Sequence, residues 1–143
     1  MKVSTKGRYA LRSLSHLAVS YIKNENCPVS IKYICEKEDI SNRYLENIFV
    51  KMRKAGLVNS VKGEKGGFYL AKSPEKVSIY DVFLAVENDI SPSRCVVDMK
   101  FCDKIGICGI RQVWVKFDRH INSFLKKTYL SEIARLHLKG GGR

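Results

Sequence analysis

The chain has 143 residues and is 45% apolar, enough for one folded domain with a real core and too much for a disordered chain. Met1 and Lys2 are followed by no apolar leader, and no run nears the ~18 apolar residues of a membrane span, so the sequence excludes a secreted or membrane-spanning reading and predicts a cytoplasmic protein. The formal charge of +12 is uneven: residues 1–76 hold 15 Lys/Arg against 7 Asp/Glu and residues 77–143 hold 11 against 7, so the first half is the part expected to meet a polyanion, unless the excess serves only solubility.

Residues 5–23 set Ala10, Leu14, Leu17, Ala18 and Tyr21 along one helical face. NENCP breaks the pattern, because Pro28 turns Cys27 away from helical angles. Ser30 is placed to cap a short helix through Glu38 that turns Ile31 and Ile34 inward with Cys35 beside them. Ser41 caps a third helix, NRYLENIFVKMRKA, with Leu45, Ile48, Phe49 and Met52 inward and Gly56 at its left-handed end. Two β-prone runs, Leu57 to Val61 and Phe68 to Ala71, then flank KGEKGG and predict a hairpin with a flexible basic tip. Ser78 and Asp81 form a capping box ahead of IYDVFLAVEN. Residues 88–109 have neither helical nor strand period. From Ile110 a helical stripe returns through Val113, Trp114, Phe117, Ile121, Phe124 and Leu125. Thr128 is the expected cap of a last short helix to Leu138, and GGGR reads as a disordered tail or cloning remnant.

Three short helices, the last two tightly connected, followed by a basic hairpin, make a winged helix-turn-helix: a mainly α fold with a small β-hairpin and a long C-terminal helix. The organisation expected is a DNA-binding unit over 1–76, a cysteine loop and dimerisation helices over 77–139, and the tail over 140–143. In that fold the third helix enters the major groove by its N-terminus. Ser41, Asn42, Arg43, Tyr44, Glu46 and Asn47 then lie near base edges and phosphates, with Lys51, Arg53 and Lys54 at the other end. Lys62 or Lys65 at the hairpin tip reaches the adjacent minor groove. The stripe bearing Trp114, Phe117, Ile121 and Phe124 needs a partner, which is either the first helix of the same chain or the equivalent helix of a second one. No acid–base pair or nucleophile constellation stands out, and KGEKGG lacks the strand–loop–helix context of a nucleotide site, so an enzyme is not expected.

Five cysteines in a reducing compartment cannot all pair, which turns attention to metal or redox chemistry. Cys95, Cys102 and Cys108 occupy the aperiodic segment, while Cys27 and Cys35 read as structural. Thiolates are the usual protein ligands of iron–sulfur clusters, and a loop can wrap around irons without regular backbone. The spacing x6 and x5 is less like zinc, whose structural sites generally carry a tight Cys-x2–4-Cys pair. A cluster-free thiol switch, a zinc-dependent regulator, and an iron–sulfur carrier or electron-transfer module are the competing readings.

TKGRYALRSL, ISNRYLENIFVKMRKAGLVNSVKGEKGGFYLAK, the start of VSIYDVFLAVE and the three-cysteine loop followed by QVW together resemble the iron–sulfur cluster regulator family of bacterial winged-helix transcription factors (IscR/NsrR/CymR-like) from about Met1 to Leu138. The resemblance implies a homodimer crossed through the helix beginning near Ile110, a palindromic operator in double-stranded DNA, and a cluster on Cys95, Cys102 and Cys108, of the 2Fe–2S type ahead of 4Fe–4S. It matches Glu46 to a base-discriminating glutamate, Ser41 and Tyr44 to that residue's neighbours, and Lys62 to a wing arginine. Arg43 stands where a small polar residue is usual. The fourth ligand departs from the family: Arg111 and Arg8 occupy the positions of a ligating histidine and a ligating carboxylate. An always-charged guanidinium ligates no metal. His120, Asp98, Asp103, His16 of either chain and an exogenous ligand remain.

Overall fold

Ser4 starts the first helix, α1 (Thr5–Lys23), by accepting from the Gly7 amide at 2.9 Å, and its hydroxyl also donates to the Glu87 carboxylate beyond the fourth helix. The structure, a computed structural model, describes residues 3–140. Of the expected tail, residues 141–143 therefore lie outside the described residues. Serine hydroxyls also begin α2 (Ile31–Glu38), α3 (Asn42–Lys54) and α4 (Ile79–Val86), where Ser30, Ser41 and Ser78 accept from the amides of Tyr33, Tyr44 and Asp81. Each such cap contributes about 1 kcal/mol.

The turn between α2 and α3 is short because Asp39 takes the left-handed conformation at φ 53°, which aspartate tolerates better than most residues. Its neighbour Ile40 then returns its amide to the Cys35 carbonyl at 3.2 Å, and Ser41 can cap α3 at once. Gly56, at φ 76°, ends α3 as its sequence position predicts. Strands β1 (Val58–Val61) and β2 (Gly67–Leu70) follow as an antiparallel pair, with Val58 opposite Leu70 and Val61 opposite Gly67.

This wing is fastened to the helices rather than free. Val29 and Phe68 exchange two 2.8 Å backbone hydrogen bonds, which bring the α1–α2 connection against β2. The approach depends on Gly67: at φ +154°, a Cβ there would sit 2.3 Å from the Val29 carbonyl oxygen. The glycines of KGEKGG thus do more than loosen the tip, because one of them permits backbone contact. Phe49 of α3 meets Phe68 of β2 at 4.5 Å between ring centres, so the same strand holds the third helix.

The core is built from Leu14, Leu17, Ile34, Leu45, Phe49, Met52, Val58 and Val82, all buried. Full burial of side chains of this size contributes roughly 1.5–3 kcal/mol each. Leu130 and Ala134 join the same core from far along the chain.

Beyond α4 lie a one-turn helix α5 (Arg94–Val97), the long α6 (Gly109–Lys127) and α7 (Leu130–Lys139). The aperiodic segment is therefore mostly turns, as expected, with one helical turn around Cys95. Thr128 does not cap the last helix. Its hydroxyl donates to the Phe124 carbonyl at 2.8 Å and closes α6 instead. Thr128 and Tyr129 are extended and bridge to Ser78: the Ile79 amide donates to the Thr128 carbonyl and the Leu130 amide to the Val77 carbonyl. A helix cannot begin until that pairing ends, so α7 starts at Leu130. Packing back onto α1 is done by α7, while α6 lies against α4 and α5. No described helix is long and apolar enough to cross a membrane.

Candidate nucleic-acid interface and cysteine loop

Helix α3 divides cleanly into two faces. Leu45, Ile48, Phe49 and Met52 are buried, whereas Ser41, Asn42, Arg43, Glu46 and Asn47 are exposed at its first turns. Tyr44 is half-buried, its ring edge-on to Tyr9 of α1 at 5.7 Å, so it braces α3 against α1 as well as reaching the surface. The exposed charge is mainly positive: Arg43 in the first turn, Arg53 and Lys54 in the last, and Lys62 and Lys65 on either side of Glu64 at the wing tip. The dipole of α3 adds positive potential at the same N-terminal end. Glu46 is the single acid of the helix, and the Asn42 side-chain amide donates to it at 3.5 Å.

Cys35 lies behind this turn. Burial pushes its thiol up, and the nearby Glu46 and Glu36 carboxylates add to the rise, outweighing a backbone hydrogen bond that acts the other way. It stays a thiol at neutral pH and donates to the Asn42 side-chain oxygen at 3.5 Å. Cys27 differs from its sequence reading. Its thiol is exposed, and what the fold uses is its carbonyl, which accepts from the Ser20 hydroxyl at 2.7 Å.

Cys95, Cys102 and Cys108 are all unpaired. Cys95 sits in α5 with its sulfur 3.2 Å from the Ser93 hydroxyl, Cys102 is exposed between turns, and Cys108 is the N-cap of α6. The Cys108 sulfur accepts from the Arg111 amide at 3.4 Å. Arg111 also reaches back with its side chain, donating through Nε to the Cys95 carbonyl at 2.9 Å and through Nη2 to the Met99 sulfur at 3.1 Å. The three thiols are not drawn into one ligand group: among the described residues no three His, Cys, Asp or Glu side chains are gathered as a metal site. Two of the candidate fourth ligands have other partners. His16 is engaged with Glu38 at 2.7 Å, and Asp98 with Arg94 at 3.6 Å.

On α6 the stripe is largely uncovered. Trp114, Phe117 and Phe124 are 39%, 39% and 66% exposed, joined by Ile110 and Val113 nearer its start. Ile121 is the exception, half-buried with Leu125 beside Phe83 of α4.

Residues 3–136 match the Rrf2 family, described as iron-dependent transcriptional regulators. The chain belongs to this family. Among curated Rrf2-type relatives, the transcriptional regulator IscR of Cereibacter sphaeroides is 35% identical over 97% of this chain and 90% of its own length. Protein rrf2 of Nitratidesulfovibrio vulgaris is 32% identical over 94% and 88%. Two solved structures share the fold at 30% identity: IscR of T. potens, with a TM-score of 0.78 over 99% of this chain and 91% of that one, and CymR, the global cysteine regulator of B. subtilis, with 0.77 over 95% and 98%. As an Rrf2 protein the chain is a DNA-binding transcriptional regulator with a winged helix-turn-helix, and not an enzyme. Sequence reasoning treated Arg111 only as a failed ligand and missed its hydrogen bonds to the loop; a cation one helical turn after the last cysteine was the available signal.

Proposed function

We propose that this Rrf2 protein is a cytoplasmic homodimer that reads a palindromic operator in double-stranded DNA through α3 and the wing, and that Cys95, Cys102 and Cys108 make its binding responsive to an iron–sulfur cluster. The observation that carries the DNA reading is the exposed face of α3: a helix N-terminus lined by short polar side chains and Arg43, with Glu46 its one carboxylate, flanked by the basic wing. Residues 1–76 supply this surface and residues 77–139 the response. Lys62 and Lys65 serve phosphates, and Ser41, Arg43 and Tyr44 set the register of α3 on the duplex. Glu46 repels phosphate, so its value lies in base choice: a carboxylate in the major groove accepts from a cytosine amino group.

The donor set suits the cluster in kind. Three free thiols lie on one segment of turns, and the Arg111 amide gives Cys108 an N–H···S hydrogen bond of the type that tunes such clusters. When bound, the cluster would supply a centre sensitive to redox state and to exogenous ligands. The chain's own part is to hold it by those three sulfurs and to carry the loop's state into α6, which begins at Cys108.

Fluorescence anisotropy on operator duplexes across a salt series tests the DNA surface. Lys62→Ala with Lys65→Ala is expected to weaken binding to every sequence and to lower the salt slope by about 2. Glu46→Ala is expected to change the preference among operator variants by roughly tenfold at one position while leaving mean affinity within a few-fold. An unchanged slope removes the wing from this reading, and a uniform shift across operators removes Glu46 from base selection.

A further inference from the structure

We infer that Arg111 is the clamp of the cysteine loop: a positioning residue that ties the Cys95 turn to the start of α6 in the metal-free protein. This rests on the proposed role of the loop, but its geometry does not. A single residue spans the segment. Its backbone amide donates to the sulfur of Cys108, its Nε to the carbonyl of Cys95 sixteen residues earlier, and its Nη2 to the Met99 sulfur. The guanidinium is suited to this work by its fixed fork, which addresses two acceptors at once, and by a charge that persists at any working pH. A lysine could satisfy one of those acceptors but not hold both in register.

Little else holds this loop. α5 has a single turn, Ser93 makes no side-chain capping bond to it, and none of its residues is buried. Arg94 stays mostly on the surface, paired with Asp98 and lying over the Phe101 ring at 5.2 Å. Cys102 is exposed. With so few fastenings, the Arg111 contacts decide how often the Cys95 turn leaves α6, since local opening is governed by the contacts of the segment itself.

Two consequences follow from the placement. The Cys95 turn and the start of α6, whose N-cap is Cys108, are joined through this one residue. Arg111 also lies on α6 between Ile110 and Val113, the first apolar residues of its exposed stripe. A change in the loop thereby reaches α6 through one side chain.

The test uses the full-length protein without metal, so it stands apart from the cluster assignment. Iodoacetamide labelling of each cysteine is followed by mass spectrometry, together with amide hydrogen exchange over residues 94–98. Exposed Cys27 is the internal control. Arg111→Ala and Arg111→Lys are both expected to speed labelling of Cys95 and exchange of residues 94–98 by roughly threefold or more relative to Cys27, with exchange in α1 and α3 unchanged. Met99→Leu, which removes only the sulfur acceptor, is expected to give a smaller change in the same direction. Rates at Cys95 and residues 94–98 that match wild type in both arginine variants overturn the clamp. Rescue by Arg111→Lys reduces the role to charge and overturns the fork. Failure of wild type to take up iron and sulfide would count against the cluster reading and leave these measurements intact.

Discussion

Alanine at Cys95, at Cys102 or at Cys108 is expected to cut the iron and sulfide retained after anaerobic reconstitution by at least about tenfold, with loss of the visible absorption. Loss of an outer-shell hydrogen bond alone costs a metal site 10–100-fold, and a missing thiolate removes a ligand outright. Two alternatives are out of play, since His16 is held by Glu38 and Arg111 cannot ligate. Cys27→Ala and Cys35→Ala are expected to leave iron, sulfide and absorption at wild-type levels. Cys35 is kept as a thiol by burial and by neighbouring carboxylates, and Cys27 lies by the α1–α2 turn and the wing tip. The loop variants should also change affinity for at least one operator, because α6 begins at Cys108. A loop variant that keeps its full complement of iron and sulfide, or a wild type that takes up only zinc, would falsify the assignment.

A second large effect is expected from Phe117→Glu combined with Phe124→Glu. Both rings are exposed on the single chain, so charging them leaves the core intact, unlike Ile121, which is half-buried near Phe83. The apolar stripe from Ile110 to Phe124 is too extensive to be left wet, and a second copy of α6 covers it in the proposed dimer. The double variant should sediment as a monomer and lose roughly 100-fold or more in operator affinity, because two half-sites about 34 Å apart are then bound independently rather than by one linked molecule. Unaltered melting temperature would show that the fold survives. A wild type that is itself monomeric at micromolar concentration would sink the idea, as would a double variant that binds operator normally.

Much of this architecture is legible from local chemistry. The serines before α1, α2, α3 and α4 are in place to accept from the free amides of a helix start, and those amides need partners in any context. The inward faces of α1 and α3 follow from a period of 3.6, and Gly56 from a left-handed backbone that other residues adopt at a cost. The exposed polar face of α3, the basic wing and the cysteine loop are likewise visible as patterns along the chain.

What the chain alone could not decide depends on contacts between distant segments. Thr128 has the chemistry of a helix cap, yet residues 128–130 are drawn into backbone pairing with 77–79, and the helix starts later. Gly67 reads as loop flexibility until Val29 is brought within 2.3 Å of where its Cβ would be. The α6 stripe has the same period whether its partner is α1, α4 or a second chain, and only packing shows Ile121 turned toward α4 with Trp114, Phe117 and Phe124 left outside. Arg111 carries no periodic signal at all; its role arises because folding returns the Cys95 carbonyl to hydrogen-bonding distance. The sequence by itself determined which segments are helical, which face of each is apolar and where charge and thiols lie, because propensity, period and capping act within a few residues. The tertiary structure decided which of those faces and side chains meet, because such contacts depend on where the shared core places residues far apart in the chain.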